Sequence, residues 1–248
     1  MARKTCPPLA VLMQRIHYRR PVNTVRRRIR GQGNRIVYRG SILTSVVFDV
    51  VGNGNTIEIA PGCLLNGVRF RVRGDDHEIS IAEGCKFHNG ANVWFEDSRG
   101  VLSIGSGCNF EQVDFAVTES DSRIDVGSGC LFSRDVDVRT GDSHSITDAR
   151  TGERVNSARS VSFGDRVWVA AHCIVLKGAS IPSDSVVGAG SVVTGKFLEP
   201  GTIIAGNPAR AIRSGIRWSC ARSPESGERD RSGGMVRSDD PAFNDHHL

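Results

Sequence analysis

The chain has no run of 18 or more apolar residues, the length a membrane-spanning helix requires. Aromatic residues are scarce, at 6%, which argues against one bulky core and for thin, regular packing. The seven cysteines form no C-x-x-C pair, so a zinc ribbon is not expected. The stretch "MARKTCPPLAVLMQRIHYRR" has only a short apolar segment and no A-x-A site, so no secretory signal is read there. Acidic residues are missing altogether before Asp49, while Arg15, Arg19, Arg20, Arg26, Arg27, Arg28 and Arg30 crowd the start. That imbalance fits either a solvated basic extension or contact with an anionic surface, such as a membrane face, a glycolipid or a charged glycan. No recognition motif accompanies the charge, so nucleic acid is not expected as a partner.

What the sequence does have is a repeat. The segments "IEIAPGCLL", "ISIAEGCKF", "LSIGSGCNF" and "IDVGSGCLF" begin at Ile57, Ile79, Leu102 and Ile124, and a looser copy, "IVYRGSIL", begins at Ile36. Polar turns, "GNGN", "RGDDH", "EDSRG" and "TESDS", lie between them. Within each unit apolar and polar residues alternate, the period of a strand. Such a unit cannot bury its apolar side alone, whereas stacked units can, which predicts a solenoid of parallel strands. Cys63, Cys85, Cys108 and Cys130 each follow a glycine in the same slot. They are expected to be reduced, buried fillers of a cytoplasmic protein rather than disulfides.

From Phe163 the unit shortens to six: FGDRVW, VAAHCI, VLKGAS, IPSDSV, VGAGSV, VTGKFL. Position one is nearly always aliphatic, and position five is small or apolar until Phe197 ends the pattern. Three short strands per coil fit this period, the longer units being the same coil with extra turn residues. Between the two regimes lies "RTGDSHSITDARTGERV", a break in the repeat that carries His144. Of the seven histidines, His17, His246 and His247 lie near the termini, His77 in an inter-coil turn, His88 just after a strand, and His172 in an outward slot. His144 alone sits where a coil ends and a loop, residues 145–160, departs. Asp142 could orient its imidazole, as carboxylates do in triads, or cap its own turn. Glu153 and Arg154 are either acceptor contacts or plain loop charges.

The block "SVSFGDRVWVAAHCIVLKGASIPSDSVVGAGSVVTGKFLEPGTIIAGNPARAIR" resembles the C-terminal signature of the hexapeptide-repeat acyltransferases. The resemblance covers about residues 30 to 218. It implies an all-β fold, a left-handed parallel β-helix, here expected with a short C-terminal helix and a disordered tail. The implied organisation is a basic extension at 1–30, the β-helix at 31–218 with the loop 145–160 inserted, and a tail at 219–248. "RTGDSHSITD" and the long N-terminal coils look more narrowly like members that O-acetylate capsule, lipopolysaccharide or other surface glycans. The resemblance implies acetyl-CoA as acyl donor, His144 as general base, direct transfer to a sugar hydroxyl, and a homotrimer that closes the donor groove. It places Trp168 in the cleft, Ala171, Ala189 and Thr194 along the pantetheine arm, and Arg210 and Arg213 at the CoA phosphate. Gly195 stands where the family often has lysine, and Lys196 could substitute. An N-acyltransferase of an amino sugar and a non-catalytic β-helix scaffold are the alternative readings. A zinc enzyme of this fold needs converging histidines, and no H-x₄-H pair exists, so no metal is expected.

Overall fold

A computed structural model describes residues 23–220; the expected disordered tail lies almost wholly outside them. Three parallel sheets form the sides of a left-handed β-helix. The first face has eight strands, from Val25–Arg30 to Val192–Val193, and the second has seven, from Arg35–Val37 to Ser180–Ile181. The third has nine and ends in Ile203–Gly206 and Ala209–Arg213. Successive strands step from face to face, so each coil lies in register on the one before. Ile57 pairs with Ile79, Ile79 with Leu102, and Leu102 with Ile124, which is the repeat read from the sequence.

Alternation decides what each strand buries. Val68–Arg73 sends Val68, Phe70 and Val72 inside and Arg69 and Arg71 out. The scarce aromatics are concentrated in the interior as a ladder. Phe48 stacks on Phe70 with ring centroids 4.9 Å apart, and Phe87, Phe110 and Phe132 follow at 4.4 and 5.0 Å. Truncating one such phenylalanine to alanine costs about 3–5 kcal/mol. In the short coils the position-one residues Phe163, Val169, Val175, Ile181, Val187 and Val193 are all buried, as are Val167, Cys173, Ala179, Ser185 and Ser191 at position five.

The four repeat cysteines and Cys173 are free and buried. Each thiol donates to a carbonyl of the next coil, Cys63 to Ala82 and Cys85 to Gly105, both at 3.1 Å. The first-to-second corner explains the polar turn residues. Gly52 has a φ of +139°, and a Cβ there would lie 1.8 Å from the Gly74 carbonyl oxygen, so only glycine lets the coils stack. Inside the same corner runs a polar column: Asn34 Oδ1 accepts from Asn55, Asn55 Oδ1 from the His77 N–H, and His77 Nδ1 from Gly100.

Two boundaries differ from the sequence reading. Val25–Arg30 already pairs with Val46–Val51, so the β-helix starts before residue 31, inside the stretch taken as an extension. The expected short C-terminal helix is absent from the described residues. Ile203–Gly206 and Ala209–Arg213 form an antiparallel hairpin instead. The "GNP" turn residues favour chain reversal, and the hairpin pairs onto the edge of the third face.

Candidate active site

The strand Val136–Arg139 on the first face runs into Thr140, which is buried, and then into Asp142, Ser143 and His144 at the corner leading to the second face. The inserted segment is an ordered small hairpin. Thr147 pairs antiparallel with Arg154, the Val155 N–H donates to the Ile146 carbonyl at 2.8 Å, and Asp148 Oδ1 accepts from the N–H groups of Arg150 and Thr151 at its tip.

Asn156, 6% exposed, anchors this hairpin to the corner. Its Nδ2 donates to the His144 carbonyl at 2.7 Å and to Asp142 Oδ2 at 2.9 Å. Its Oδ1 accepts from the Ile146 N–H at 2.7 Å and from Arg154 Nε at 3.2 Å. Lys177, from the coil above, donates Nζ to Asp142 Oδ2 at 2.5 Å and to the Asn156 carbonyl at 2.7 Å. The Lys177 ammonium, helped by Asn156, holds the Asp142 carboxyl below the usual carboxylate range. Arg154 pairs with Glu119 on the same corner one coil below, which fastens the far limb of the hairpin. The result is a rigid seat for an exposed imidazole.

Asp142 Oδ2 accepts from Lys177 and Asn156, and no described side chain bonds the His144 ring. In these contacts Asp142 helps hold the backbone on which His144 stands. Arg154 is likewise committed to Glu119 and Asn156, and is not a free acceptor contact. A carboxylate–imidazole pair exists elsewhere: His172 Nδ1 lies 2.7 Å from Asp135 Oδ2 at the third-to-first corner.

The remaining candidates fall at three places. Thr194 and Lys196 follow the strand Val192–Val193 and so stand on the same corner as His144. Lys196 and Arg159 line an open cavity of about 540 Å³ there, with Ser157, Ser160 and Glu119. Ala171 and Ala189 stack on the third-to-first corner, where the Gly190 N–H donates to the Ala171 carbonyl at 3.0 Å. Their small side chains leave the backbone open to a ligand. Trp168 points outward from the third face, between Leu131 and Val186 in register. It packs against Trp218 at 5.9 Å between ring centroids, and its buried Nε1–H has no partner among the described residues. Arg210 and Arg213 are exposed on the terminal hairpin beside that face. Within one chain, then, His144 and Trp168 lie on opposite sides of the triangular prism.

No family model matches the chain. The galactoside O-acetyltransferase of Escherichia coli (strain K12) is 42% identical over 53 residues, 21% of this chain and 26% of the relative. The sequence match thus spans about a quarter of that protein's length. Two solved structures extend it. The polysialic acid O-acetyltransferase OatWY is 26% identical with a TM-score of 0.75, over 82% of this chain and 94% of its own. The polySia-specific acetyltransferase NeuO is 26% identical with a TM-score of 0.68, over 82% and 92%. The chain is thus similar in fold, over most of its length, to acetyltransferases of the hexapeptide-repeat kind.

The notable finding at this corner is how His144 is held. Sequence reasoning missed Asn156, Lys177 and Glu119, because none falls in a motif. Lys177 occupies an ordinary outward slot of "VLKGAS", and only the folded corner brings it to Asp142. Asn156 is a polar residue in a polar loop, and its burial is what marks it.

Proposed function

We propose that the protein is an acetyl-CoA-dependent O-acetyltransferase acting on a sugar hydroxyl of a surface polysaccharide, of the capsule or lipopolysaccharide type. The single observation that carries this reading is the interruption of the coil at one corner to seat an exposed histidine, in a fold shared over most of its length with two glycan O-acetyltransferases. In this reading His144 takes the proton of the acceptor hydroxyl as its oxygen attacks the thioester carbonyl. The C–O bond forms, the C–S bond breaks, and the proton passes to the departing thiolate of CoA. Asp142, Asn156 and Lys177 are positioning residues that hold the loop. No acyl-enzyme is required, and the buried thiols offer no nucleophile.

The donor's pantetheine arm would lie against the small corner residues Ala171 and Ala189 and reach Thr194. Lys196, Arg210 and Arg213 would meet its phosphates. These residues occupy different corners of one chain, and Trp168 lies across the prism from His144, so we assign the complete site to a homotrimer. In a cyclic ring one copy's third face meets the His144 corner of the next, giving three equivalent sites. The reduced thiols fit a cytoplasmic reaction.

Isothermal titration of acetyl-CoA, with acetyl transfer to polysialic acid measured in parallel on the wild type and His144→Ala, tests this. Both proteins should bind the donor, and the variant should lose about 10²- to 10⁴-fold in kcat. No donor binding by the folded wild type overturns the reading.

A further inference from the structure

We propose that the outer surface of the first face, over its N-terminal strands, is a docking strip for a polyanionic glycan, with Arg69, Arg71 and Trp94 as specificity-determining residues. This rests on the glycan O-acetyltransferase reading above and adds the acceptor's charge and the place where the polymer is held.

Register puts the arginines on one surface. Val46, Phe48 and Val50 point inward, so Val47, Asp49 and Val51 point out. Arg26, Arg28 and Arg30 pair with those outward positions on one side, and Arg69, Arg71 and Arg73 on the other. Neighbouring strands are about 4.8 Å apart and alternate residues along a strand about 6.6 Å apart. The arginines therefore form two rows of three, roughly 10 Å from row to row. Asp49 is the one carboxylate in these three strands, and Arg73 takes it at 2.8 Å. Among the described residues, Arg26, Arg28, Arg30, Arg69 and Arg71 belong to no ion pair.

A solvated basic face would not explain the next strand. Arg71 pairs in register with Trp94, and its guanidinium lies over the indole, 5.5 Å from the ring centroid. Trp94 is 37% exposed. An open indole flanked by guanidinium groups offers a flat apolar plate for a sugar ring and bidentate donors for its carboxylates. A lipid bilayer fits worse, because the outward neighbours of Trp94 in register are Arg71 and the small Ala116, so no second large apolar side chain stands beside it to insert. A second copy of the chain fits worse still, because five unpaired cations would face their own kind.

The strip leads to the candidate base. The row that holds Arg71 and Trp94 continues through Ala116 to Arg139. Arg139 ends the strand from which the chain passes to His144. From Arg71 to that strand is three strand spacings, roughly 14 Å, which a polymer of a few sugars spans. A chain held on the arginines would then present a hydroxyl at the corner.

The test measures binding apart from chemistry. Labelled polysialic acid, a neutral dextran of matched length and phosphatidylserine vesicles are each titrated into the full chain carrying His144→Ala, at low and at high salt. The expected result is binding of polysialic acid alone, weakening as salt rises. Arg69→Gln/Arg71→Gln should weaken it at least tenfold, Arg69→Lys/Arg71→Lys should weaken it less, and Trp94→Ala should weaken it several-fold. In the catalytically competent chain, Arg69→Gln/Arg71→Gln should raise KM for the polymer more than it lowers kcat. These side chains point outward from the coils and away from the core, so the melting temperature serves as the folding control. Polymer affinity insensitive to the glutamine pair, equal binding of dextran, or binding of vesicles in place of polymer overturns the strip. Salt-sensitive, arginine-dependent binding in a protein that transfers no acetyl group sustains the strip and sinks the acetyltransferase reading.

Discussion

Asn156 Nδ2 donates to the carbonyl oxygen of His144 at 2.7 Å, and this bond fixes where the candidate base stands. Asn156 itself is buried and bonded at both ends of its amide. Asn156→Ala removes four hydrogen bonds from one corner and frees the loop, while the coils above and below keep their ladders. The expected outcome is a fall in kcat of about 10²-fold, the cost of displacing a reacting group by about 1 Å, with acetyl-CoA affinity within about twofold of wild type. Steady-state kinetics beside a donor titration checks this. Equal loss of donor binding would mean that Asn156 supports the donor groove instead.

Lys177 supports the same seat through charge. Asp142 is held below the ordinary carboxylate range by Lys177, so it stays ionised in the folded chain to lower pH than in the unfolded one. Its contribution is present above the unfolded carboxylate value of 3.8 and is lost as pH falls through the lower folded value. Near neutrality the pair is therefore intact. Lys177→Met leaves Asp142 half-paired and should lower kcat by about tenfold, while Asp142→Asn, which keeps the Asn156 contact, should cost less. Transfer rates at pH 7 for both variants decide the order, and a larger effect of Asp142→Asn would return the carboxylate to a direct role on the imidazole.

The sequence made the fold legible because a stacked coil repeats its chemistry at fixed spacing. Phe70 and Phe87, Cys85 and Cys108, and the position-five residues all landed inside as their slots required. Asn55 and His77 were harder to read, since one slot of the corner column accepts either side chain and no single residue type marks it. The C-terminal hairpin was misread because it leaves the repeat, so the period no longer constrains it. At the site, His144 was legible as the break in the pattern. Its support was not, because Asn156, Lys177 and Glu119 reach one corner from three successive coils, and nothing local in the chain announces contacts that span 21 to 39 residues.

His77 carries a pH dependence of stability. It is 1% exposed, accepts from Gly100 at Nδ1 and donates Nε2–H to the Arg73 carbonyl at 3.1 Å. Burial pushes its pKa below the ordinary 6.5, so the folded chain holds it neutral. The unfolded chain binds the extra proton first as pH falls below about 6.5, so stability is full above that value and declines towards the folded pKa. The melting temperature should fall between about pH 7 and pH 5. His77→Asn puts the residue of the neighbouring coil, Asn55, into the same column and should flatten that slope. An unchanged slope in the variant would assign the acid sensitivity elsewhere.

The cysteine column should be chemically silent. Cys85 is pushed up to about 12 by the neighbouring Cys108 thiol and by burial, and Cys108 to about 12 by the neighbouring Cys130 thiol and by burial. Cys130 is shifted down through Cys108, yet it is 1% exposed, and access decides reactivity. Alkylation of the native protein near pH 8, read by peptide mass spectrometry, should label Cys220, which is exposed, and leave Cys63, Cys85, Cys108, Cys130 and Cys173 unmodified until denaturant is added. Labelling of Cys130 in the native state would reopen the question of a thiol nucleophile.

The separation of His144 from Trp168 within one chain makes the shared site testable without a structure of the assembly. His144→Ala and Trp168→Ala should each be nearly inactive as pure proteins. If each site takes His144 from one copy and Trp168 from its neighbour, co-refolding the two variants rebuilds sites in which a Trp168→Ala chain supplies the histidine and a His144→Ala chain supplies the tryptophan. Random assembly at equal amounts places that pairing at about a quarter of the interfaces of a cyclic ring. Transfer activity should therefore recover to about a quarter of wild type. A mixture no more active than the average of its two components would mean that one chain's own residues complete the site, and that Trp168 serves the contact between copies rather than the substrate.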